Sequence, residues 1–278
     1  MDLNWLESIL YGFFSGMMDI LPVSAEAHKV LLLKFFGKQG NLDLLDLLVH
    51  LSILGALYVS CQSHIVRIRR ARALARIPKK KRKRPLDTRT LMDWSMLKTM
   101  TVPVILGLFL YRYTAPVYGN LLLMALFLFL NGLILYVPQF LPTSNRDSRT
   151  LSRIEGLLMG LGGAVSIIPG ISAIGAATSV GSVCGVERNY SLTMALMLNM
   201  VLMAGMVVYD VLGIMANGLG LLSLAIILRY LLTAVVSFGG TILGVKIMRY
   251  LAENQGFSLF GVYCWGLALF TFILNLMA

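Results

Sequence analysis

The sequence contains few charged residues. They make up 13% of the 278 residues, while hydrophobic residues make up 58%. An ordinary soluble domain has about 25% charged and about 45–50% apolar residues. This composition excludes a soluble globular protein.

Cysteine is also scarce, and two familiar metal motifs are absent. Cys61, Cys184 and Cys264 lie in or beside apolar segments without C-x-x-C spacing, so neither a disulfide framework nor a zinc site is predicted. The sequence has no H-E-x-x-H motif, which disfavours zinc protease chemistry.

What the sequence does contain is a series of long apolar runs. Most approach the roughly 20 residues that a helix needs to cross a hydrocarbon core of about 30 Å. We therefore predict an all-α polytopic membrane protein that forms a single membrane domain over residues 1–278. The runs cover residues 5–33, 43–61, 93–111, 120–141, 154–184, 191–214, 219–247 and 257–277.

The net charge of +11 comes largely from one segment. Between Arg67 and Arg89 lie 12 of the 24 basic residues. The positive-inside rule predicts that the loop 64–90 is cytoplasmic, where it would also contact anionic membrane lipids. No aromatic residues interleave this segment for base stacking, so we expect no nucleic-acid partner. Propagating this orientation along the spans places both termini outside.

Two of the runs are too long and too interrupted to be simple spans. Pro22 and Pro169 break them near the middle, with glycines and small polar residues around each break. Non-helical backbone at membrane depth is tolerated only inside protein or beside a wet cavity. We predict two re-entrant helix-turn-helix hairpins, at residues 5–36 and 154–184.

The two hairpins resemble each other and predict an internal repeat. The stretch from Gly12 to Ser24 parallels the stretch from Gly160 to Ser172 with a one-residue slip. Because an odd number of spans follows each hairpin, the halves would have opposite topology, as in transporters whose sites form at broken helices. The predicted first repeat is 1–137, with spans 43–61, 93–111 and 120–137. The predicted second repeat is 150–278, with spans 191–212, 221–247 and 257–277.

Ionisable residues at membrane depth are the first functional candidates, because burying them is costly. Asp19, Glu26 and His28 flank the first break, and Asp46 and His50 lie in the next span. The four-residue spacing of Asp46 and His50 predicts that the carboxylate orients the imidazole; a purely structural hydrogen bond is the alternative. Hard oxygen ligands such as Asp19 and Glu26 would also suit Mg²⁺ or Ca²⁺.

Each break also offers an anion site. Ser24 and Ser172 precede the second half-helices, where free backbone N–H groups attract anions. Both serines are placed to cap those helices and to donate hydrogen bonds to a phosphate; a capping role alone is the alternative. We predict a lipid phosphate between the two turns, with an isoprenoid tail among the apolar helices.

Four motifs then resemble those of a known family. The run Ser15 to His28 resembles E-G-x-x-E-F-L-P-V-S-S-T-G-H, and the run from Pro169 resembles P-G-x-S-R-S-G-A-T. Asp46-x-x-x-His50-Leu51 resembles E-x-x-x-Q-L, and 185–188 resembles G-V-x-R. These are signatures of the undecaprenyl-pyrophosphate phosphatases of the bacitracin-resistance (BacA) family.

The resemblance implies a fold with two inverted repeats, two re-entrant hairpins and six spans, in a bacterial-type plasma membrane. It implies a polyprenyl phosphate or pyrophosphate as the ligand, removal of one phosphate from the lipid pyrophosphate, and a homodimer. Taken together with the residues at the two breaks, the substrate-binding candidates are Ser24, Glu26, His28, Gly170, Ser172 and Gly175.

The sequence departs from the signatures at positions that carry charge. Ser15 replaces the first Glu, Asp19 the second, and Ala173 the Arg; Ala25 and Glu26 replace a Ser and a Thr. Since phosphoryl transfer depends on positioned charge, we expect a relative that binds and translocates the lipid more readily than it hydrolyses it. Its proton relay would use Asp19, Glu26, His28, Asp46 and His50.

Two alternatives stay open. One is a phosphatase that uses Asp19, His28 and Ser24 with a divalent metal. The other is a transporter of another lipid or small molecule.

Overall fold

The computed structural model describes residues 3–38, 42–142, 145–218, 223–254 and 257–277. These residues form helices and turns, and the only bridge between extended residues among them joins Arg146 and Val186. The all-α prediction is confirmed. The helices are α1 (Trp5–Ile20), α2 (Ala25–Phe35), α3 (Asp43–Ser60), α4 (Gln62–Ala75), α5 (Thr88–Leu110), α6 (Ala115–Tyr118), α7 (Leu121–Tyr136), α8 (Arg153–Ala164), α9 (Ala173–Val183), α10 (Arg188–Asn217), α11 (Leu224–Asn254) and α12 (Ser258–Met277).

Six helices in the described ranges are long and apolar enough to cross a membrane. They begin and end close to the predicted spans, with three differences. The helical segment containing α5 runs over Thr88–Tyr118. Helix α10 continues to Asn217, beyond the predicted span 191–212, and α11 continues to Asn254, beyond the predicted span 221–247.

The basic segment 64–90 is not a simple loop. Its first part belongs to α4, and a short 3₁₀ turn follows at Lys79–Lys81. The prediction of a loop rested on charge alone. It overlooked the sequence Arg-Ala-Arg-Ala-Leu-Ala at 70–75, in which all three residue types are strong helix formers.

Both predicted hairpins are broken as the prolines indicate. Helix α1 ends at Ile20, three turn residues and the Ser24 cap follow, and α2 begins at Ala25. Helix α8 ends at Ala164, a 3₁₀ turn covers Val165–Ile167, and α9 begins at Ala173.

Helix packing is reciprocal between the two halves. Helix α1 packs against α11 and α8 packs against α5, while α3 pairs with α10 and α7 with α12. The contacts are close in both halves, because a Cβ on Gly12 would meet the backbone of Thr233 and a Cβ on Gly160 that of Met100. This exchange is what an internal repeat would produce. The repeat itself and the opposite orientation of its halves in the membrane stay predictions.

The core lies around α10. Within its most apolar stretch, 61% of the residues are buried, against 22% for α12. Helix α10 therefore runs through the centre of the protein, beside both hairpins, while α12 presents most of its surface outward.

Candidate functional site

The turns of the two hairpins meet inside the protein. The backbone N–H of Gly170 donates to Ser24 Oγ at 2.9 Å. Asn131 on α7 links the turns again, because its Nδ2 donates to the Pro22 carbonyl at 3.0 Å and its Oδ1 accepts from the Ser172 N–H at 3.0 Å. The two breaks thus form one contiguous unit.

Each turn ends in a serine that caps the following half-helix. Ser24 Oγ accepts from the N–H of Ala27, and Ser172 Oγ accepts from the N–H of Gly175 at 3.2 Å. Ser24 has a positive φ of 66°, a conformation that is uncommon for residues other than glycine. Gly175 allows the close approach, since a Cβ there would lie 2.7 Å from the Pro22 Cβ.

A polar cavity opens beside these turns. Its volume is about 40 Å³, measured as the space that the centre of a water molecule can reach. This is room for a few waters. The first turns of α2 and α9 both border it, and their N–H groups have no partner within the helix. A helix N-terminus attracts anions through these groups and through its dipole. The cavity is lined by Met18, Asp19, Ala25, Glu26, His50, Tyr111, Tyr118, Ser166, Ile167, Ile171, Ser172, Ala173, Leu202, Met203 and Met206.

Glu26 on the cavity wall belongs to a buried ion-pair cluster. Lys29 Nζ lies 2.6 Å from Glu26 Oε1 and 3.6 Å from Asp46 Oδ1. Tyr11 donates its hydroxyl hydrogen to Asp46 at 2.8 Å, and Tyr118 donates to Glu26 at 3.1 Å. Lys29 is only 5% exposed, so its charge is balanced by these two carboxylates rather than by water.

The other two acidic groups near the cavity have their own partners. Asn199 Nδ2 donates to Asp19 Oδ2 at 2.7 Å. His50 Nδ1 lies 2.7 Å from Asp210 Oδ2. The predicted contact between Asp46 and His50 is therefore wrong, because Asp46 points to Tyr11 and Lys29 and the imidazole pairs with another helix.

His28 lies apart from the cavity. Its Nδ1 hydrogen-bonds the Ser24 carbonyl and its Nε2 the Tyr263 hydroxyl, both at 2.8 Å. On this side of α2 the neighbouring groove is apolar, with Phe14 and Leu31 among its lining residues. The five residues predicted as one relay are thus divided: Asp19, Glu26 and His50 line the cavity, Asp46 is reached through Lys29, and His28 faces the groove.

Several polar residues of the site were absent from the sequence-based candidates. Lys29 and Asp210 had the same signal as the others, namely an ionisable side chain inside an apolar run. Tyr11, Asn131 and Asn199 gave no comparable signal, because uncharged polar residues are common in membrane helices and only the packing shows what they contact.

The carboxylates do not fit the predicted divalent metal site. The Lys29 ammonium already lies between Glu26 and Asp46, and Asn199 binds Asp19. Within the described ranges, no group of three or more His, Cys, Asp or Glu side chains is arranged to hold a metal ion.

The replaced signature positions lie in and around the cavity. Ala25 and Ala173 line it at the first turns of α2 and α9. Ser15 is 1% exposed, and its hydroxyl has no hydrogen-bond partner among the described residues. No lysine or arginine is among the described lining residues, so the cavity wall supplies no positive side chain to a phosphate.

These features define a polytopic helical membrane protein in which two interrupted hairpins meet at a buried polar cavity. The family profile described as bacitracin resistance protein BacA matches residues 8–270, and the chain belongs to this family. Similar relatives carry the name undecaprenyl-diphosphatase. One from Methanobrevibacter smithii is 26% identical over 96% of both chains, and one from Desulforapulum autotrophicum is 24% identical over 98% of this chain and 99% of its own.

Proposed function

We propose that the protein binds a polyprenyl phosphate head group in this cavity and returns the carrier lipid across the membrane, with little hydrolysis of the pyrophosphate. The undecaprenyl chain is the lipid that the names of the relatives suggest. The observation that carries the proposal is an acidic cavity bordered by two half-helix N-termini, with no lysine or arginine among its described lining residues.

The half-helix N-termini favour binding of the head group. The caps of Ser24 and Ser172 fix the first turns by accepting from the N–H groups of Ala27 and Gly175, so an anion meets the remaining N–H groups of these turns without rearrangement. The carboxylates of Asp19 and Glu26 on the same wall oppose a second negative charge. Binding is therefore favoured when a proton enters with the phosphate, which makes coupled movement of lipid and protons the natural mode of action.

The same cavity disfavours phosphoryl transfer. Cleavage needs positive charge on the equatorial oxygens of the phosphate and a nucleophile or a positioned water in line. Ala173 occupies the position of the arginine in the family signature, and Lys29 is held by Glu26 and Asp46. Ser24 is 2% exposed and its oxygen accepts from Gly170. Losing one transition-state donor costs about 10²–10³ in rate.

We further propose that the protein lies in the plasma membrane, with segment 64–90 on the cytoplasmic side and both termini outside. The positions of the basic residues support this orientation. A homodimer stays a prediction.

The test separates transport from hydrolysis in one preparation. Purified protein in liposomes is given a fluorescent short-chain polyprenyl phosphate, and its movement between leaflets is followed by dithionite quenching. Phosphate release from farnesyl pyrophosphate, with and without Mg²⁺ or Ca²⁺, is measured beside the M. smithii relative. We expect movement of the lipid and phosphate release at least about 100-fold below that of the relative.

Two variants and a control make this test specific. Asp19→Asn should abolish movement of the lipid while the protein remains folded in detergent. Glu26→Gln should abolish it too, with a lower melting temperature, because the buried Lys29 loses its nearest counter-charge. Glu253→Gln removes an exposed carboxylate and should have no effect. Hydrolysis equal to that of the relative, without lipid movement, would establish the phosphatase alternative instead.

A further inference from the structure

One pair of buried groups spans the two halves of the protein. His50 lies on α3 and is 3% exposed, while Asp210 lies on α10, the corresponding helix of the second half. A carboxylate can only accept a hydrogen bond, so the hydrogen of the 2.7 Å contact is on His50 Nδ1. The pairing fixes both the tautomer and the orientation of the ring.

The other ring nitrogen, Nε2, is not used by this pair. His50 is one of the residues that line the cavity, whereas Asp210 is not. Within the described residues, Nε2 has no hydrogen-bond partner. An imidazole held at one nitrogen by a carboxylate and open at the other accepts a proton at the open nitrogen, and the carboxylate stabilises the resulting cation.

We propose that the Asp210–His50 pair is the proton carrier of the cavity, with His50 Nε2 as the proton-binding atom and Asp210 as its positioning residue. One proton from water binds to Nε2 when the lipid phosphate enters. It returns to water when the phosphate leaves, and no bond to phosphorus forms. This assignment rests on the proposed function, because it names the group that couples protons to the lipid.

The surroundings of His50 favour a positive charge on its ring. The charged and titratable groups around it are Asp19 on α1, Glu26 and Lys29 on α2, Asp46 on α3, Asp210 on α10, and the hydroxyls of Tyr111 and Tyr118. Lys29 offsets one of the four carboxylates, so a protonated imidazole is attracted to the remainder. An incoming phosphate adds to this attraction.

The family signature lacks the histidine of this pair. The signature has Gln where this chain has His50, and a glutamine side chain does not titrate. The replaced position therefore adds a proton-binding group to a cavity in which Ala173 supplies no positive charge.

The experiment counts protons taken up on binding. Detergent-solubilised protein is titrated with a short-chain polyprenyl phosphate by calorimetry, in two buffers of different ionisation enthalpy, between pH 5.5 and 8.5. Within part of this range we expect the wild-type protein to take up about one proton per lipid, so that Kd weakens about tenfold per pH unit. The ionisation of the phosphate itself is subtracted from its titration in empty micelles.

The variants locate the proton. In His50→Gln we expect uptake close to zero and a Kd that no longer changes with pH. Asp210→Asn should reduce the uptake per lipid, because the ring loses the partner that fixes its tautomer and orientation, and Asp210→Glu should restore it. His64→Gln on α4 removes a histidine outside the cavity and should behave as wild type.

The outcomes separate this proposal from the proposed function. Unchanged proton uptake in His50→Gln, or no uptake in the wild type, would overturn the assignment even if the lipid still crosses the membrane. Uptake that depends on His50, without any movement of lipid in liposomes, would support the pair and contradict transport.

Discussion

The two hairpins share a backbone design but differ in charge. Each is broken at a proline, and the turn at the break ends in a serine that caps the following half-helix. Each also contributes a half-helix N-terminus to the cavity. The first carries Asp19, Glu26, His28 and Lys29, whereas residues 156–186 of the second include no charged side chain. The second hairpin therefore offers backbone donors and close packing, and the first supplies the ionisable groups.

This division explains why the first turn needs more support. A lysine at membrane depth is costly unless it is paired, and Lys29 is paired with side chains of its own helix and of α3. The second turn needs only room for its backbone, which glycines provide at 170 and 175. If the hairpins differ in this way, removing a charged side chain from the first hairpin should lower the stability more than any change in the second.

The largest effect is expected for Lys29→Met. It leaves Glu26 and Asp46, whose side chains are 24% and 22% exposed, without their counter-charge. Breaking a fully buried pair from one side costs about 3–5 kcal/mol, and the partial exposure of these carboxylates places the cost near the lower end. We expect a strong fall in the melting temperature in detergent and little folded protein. Size-exclusion thermal scans provide the measurement.

Two further variants test the reason for that loss. Glu26→Gln combined with Lys29→Met should recover part of the stability, because one unpaired charge is removed. Lys34→Met changes an exposed lysine on the same helix and should melt close to wild type. If Lys34→Met were as harmful as Lys29→Met, the loss would come from α2 itself rather than from the ion pairs.

A smaller effect is expected where the two hairpins are joined. Asn131 is fully buried and bonds the Pro22 carbonyl and the Ser172 N–H. Asn131→Leu leaves the Ser172 N–H unsatisfied, at about 1–3 kcal/mol, and leaves the Pro22 carbonyl with only the 3.8 Å contact from Cys264 Sγ. Asn131→Asp keeps an acceptor for Ser172 but places a carboxylate at a fully buried position beside the Pro22 carbonyl, so it should cost at least as much as Asn131→Leu. We expect lipid affinity to fall in the same order as the melting temperature.

A surface variant provides the control for this order. Asn189→Leu replaces an exposed asparagine at the start of α10 and should leave both quantities unchanged. Equal lipid affinity in Asn131→Leu and wild type would show that the turns keep their positions without this bridge.

The sequence was informative where local rules decide the structure. The prolines located both breaks, and the length of the apolar runs located the spans to within a few residues. The partners of buried charges could not be predicted in this way. Helical spacing pointed from His50 to Asp46, but the actual partner, Asp210, is 160 residues away, and only the packing of α3 against α10 brings it close. In the same way, the rotation of α2 decides that Glu26 faces the cavity and His28 the groove.

The smallest effect on the melting temperature is expected when a charge that lies before the second hairpin is removed. Asp147 is outside the spans, and hydrogen bonds from Arg149, together with the positive charges of Arg149 and Arg89, hold its pKa below the usual range. A lowered pKa in the folded state contributes stability above the ordinary pKa of Asp, and this contribution is lost as the pH falls through the lowered value.

Asp147→Asn removes that contribution, but both arginine side chains are about 60% exposed, and ion pairs of this kind are worth about 0–1 kcal/mol. We expect the melting temperature at pH 7 to fall by about a degree or less, with the difference shrinking in 1 M salt and at pH 3. A fall as large as that of Lys29→Met would mean that the second hairpin also depends on charge, and the contrast between the two hairpins would not hold.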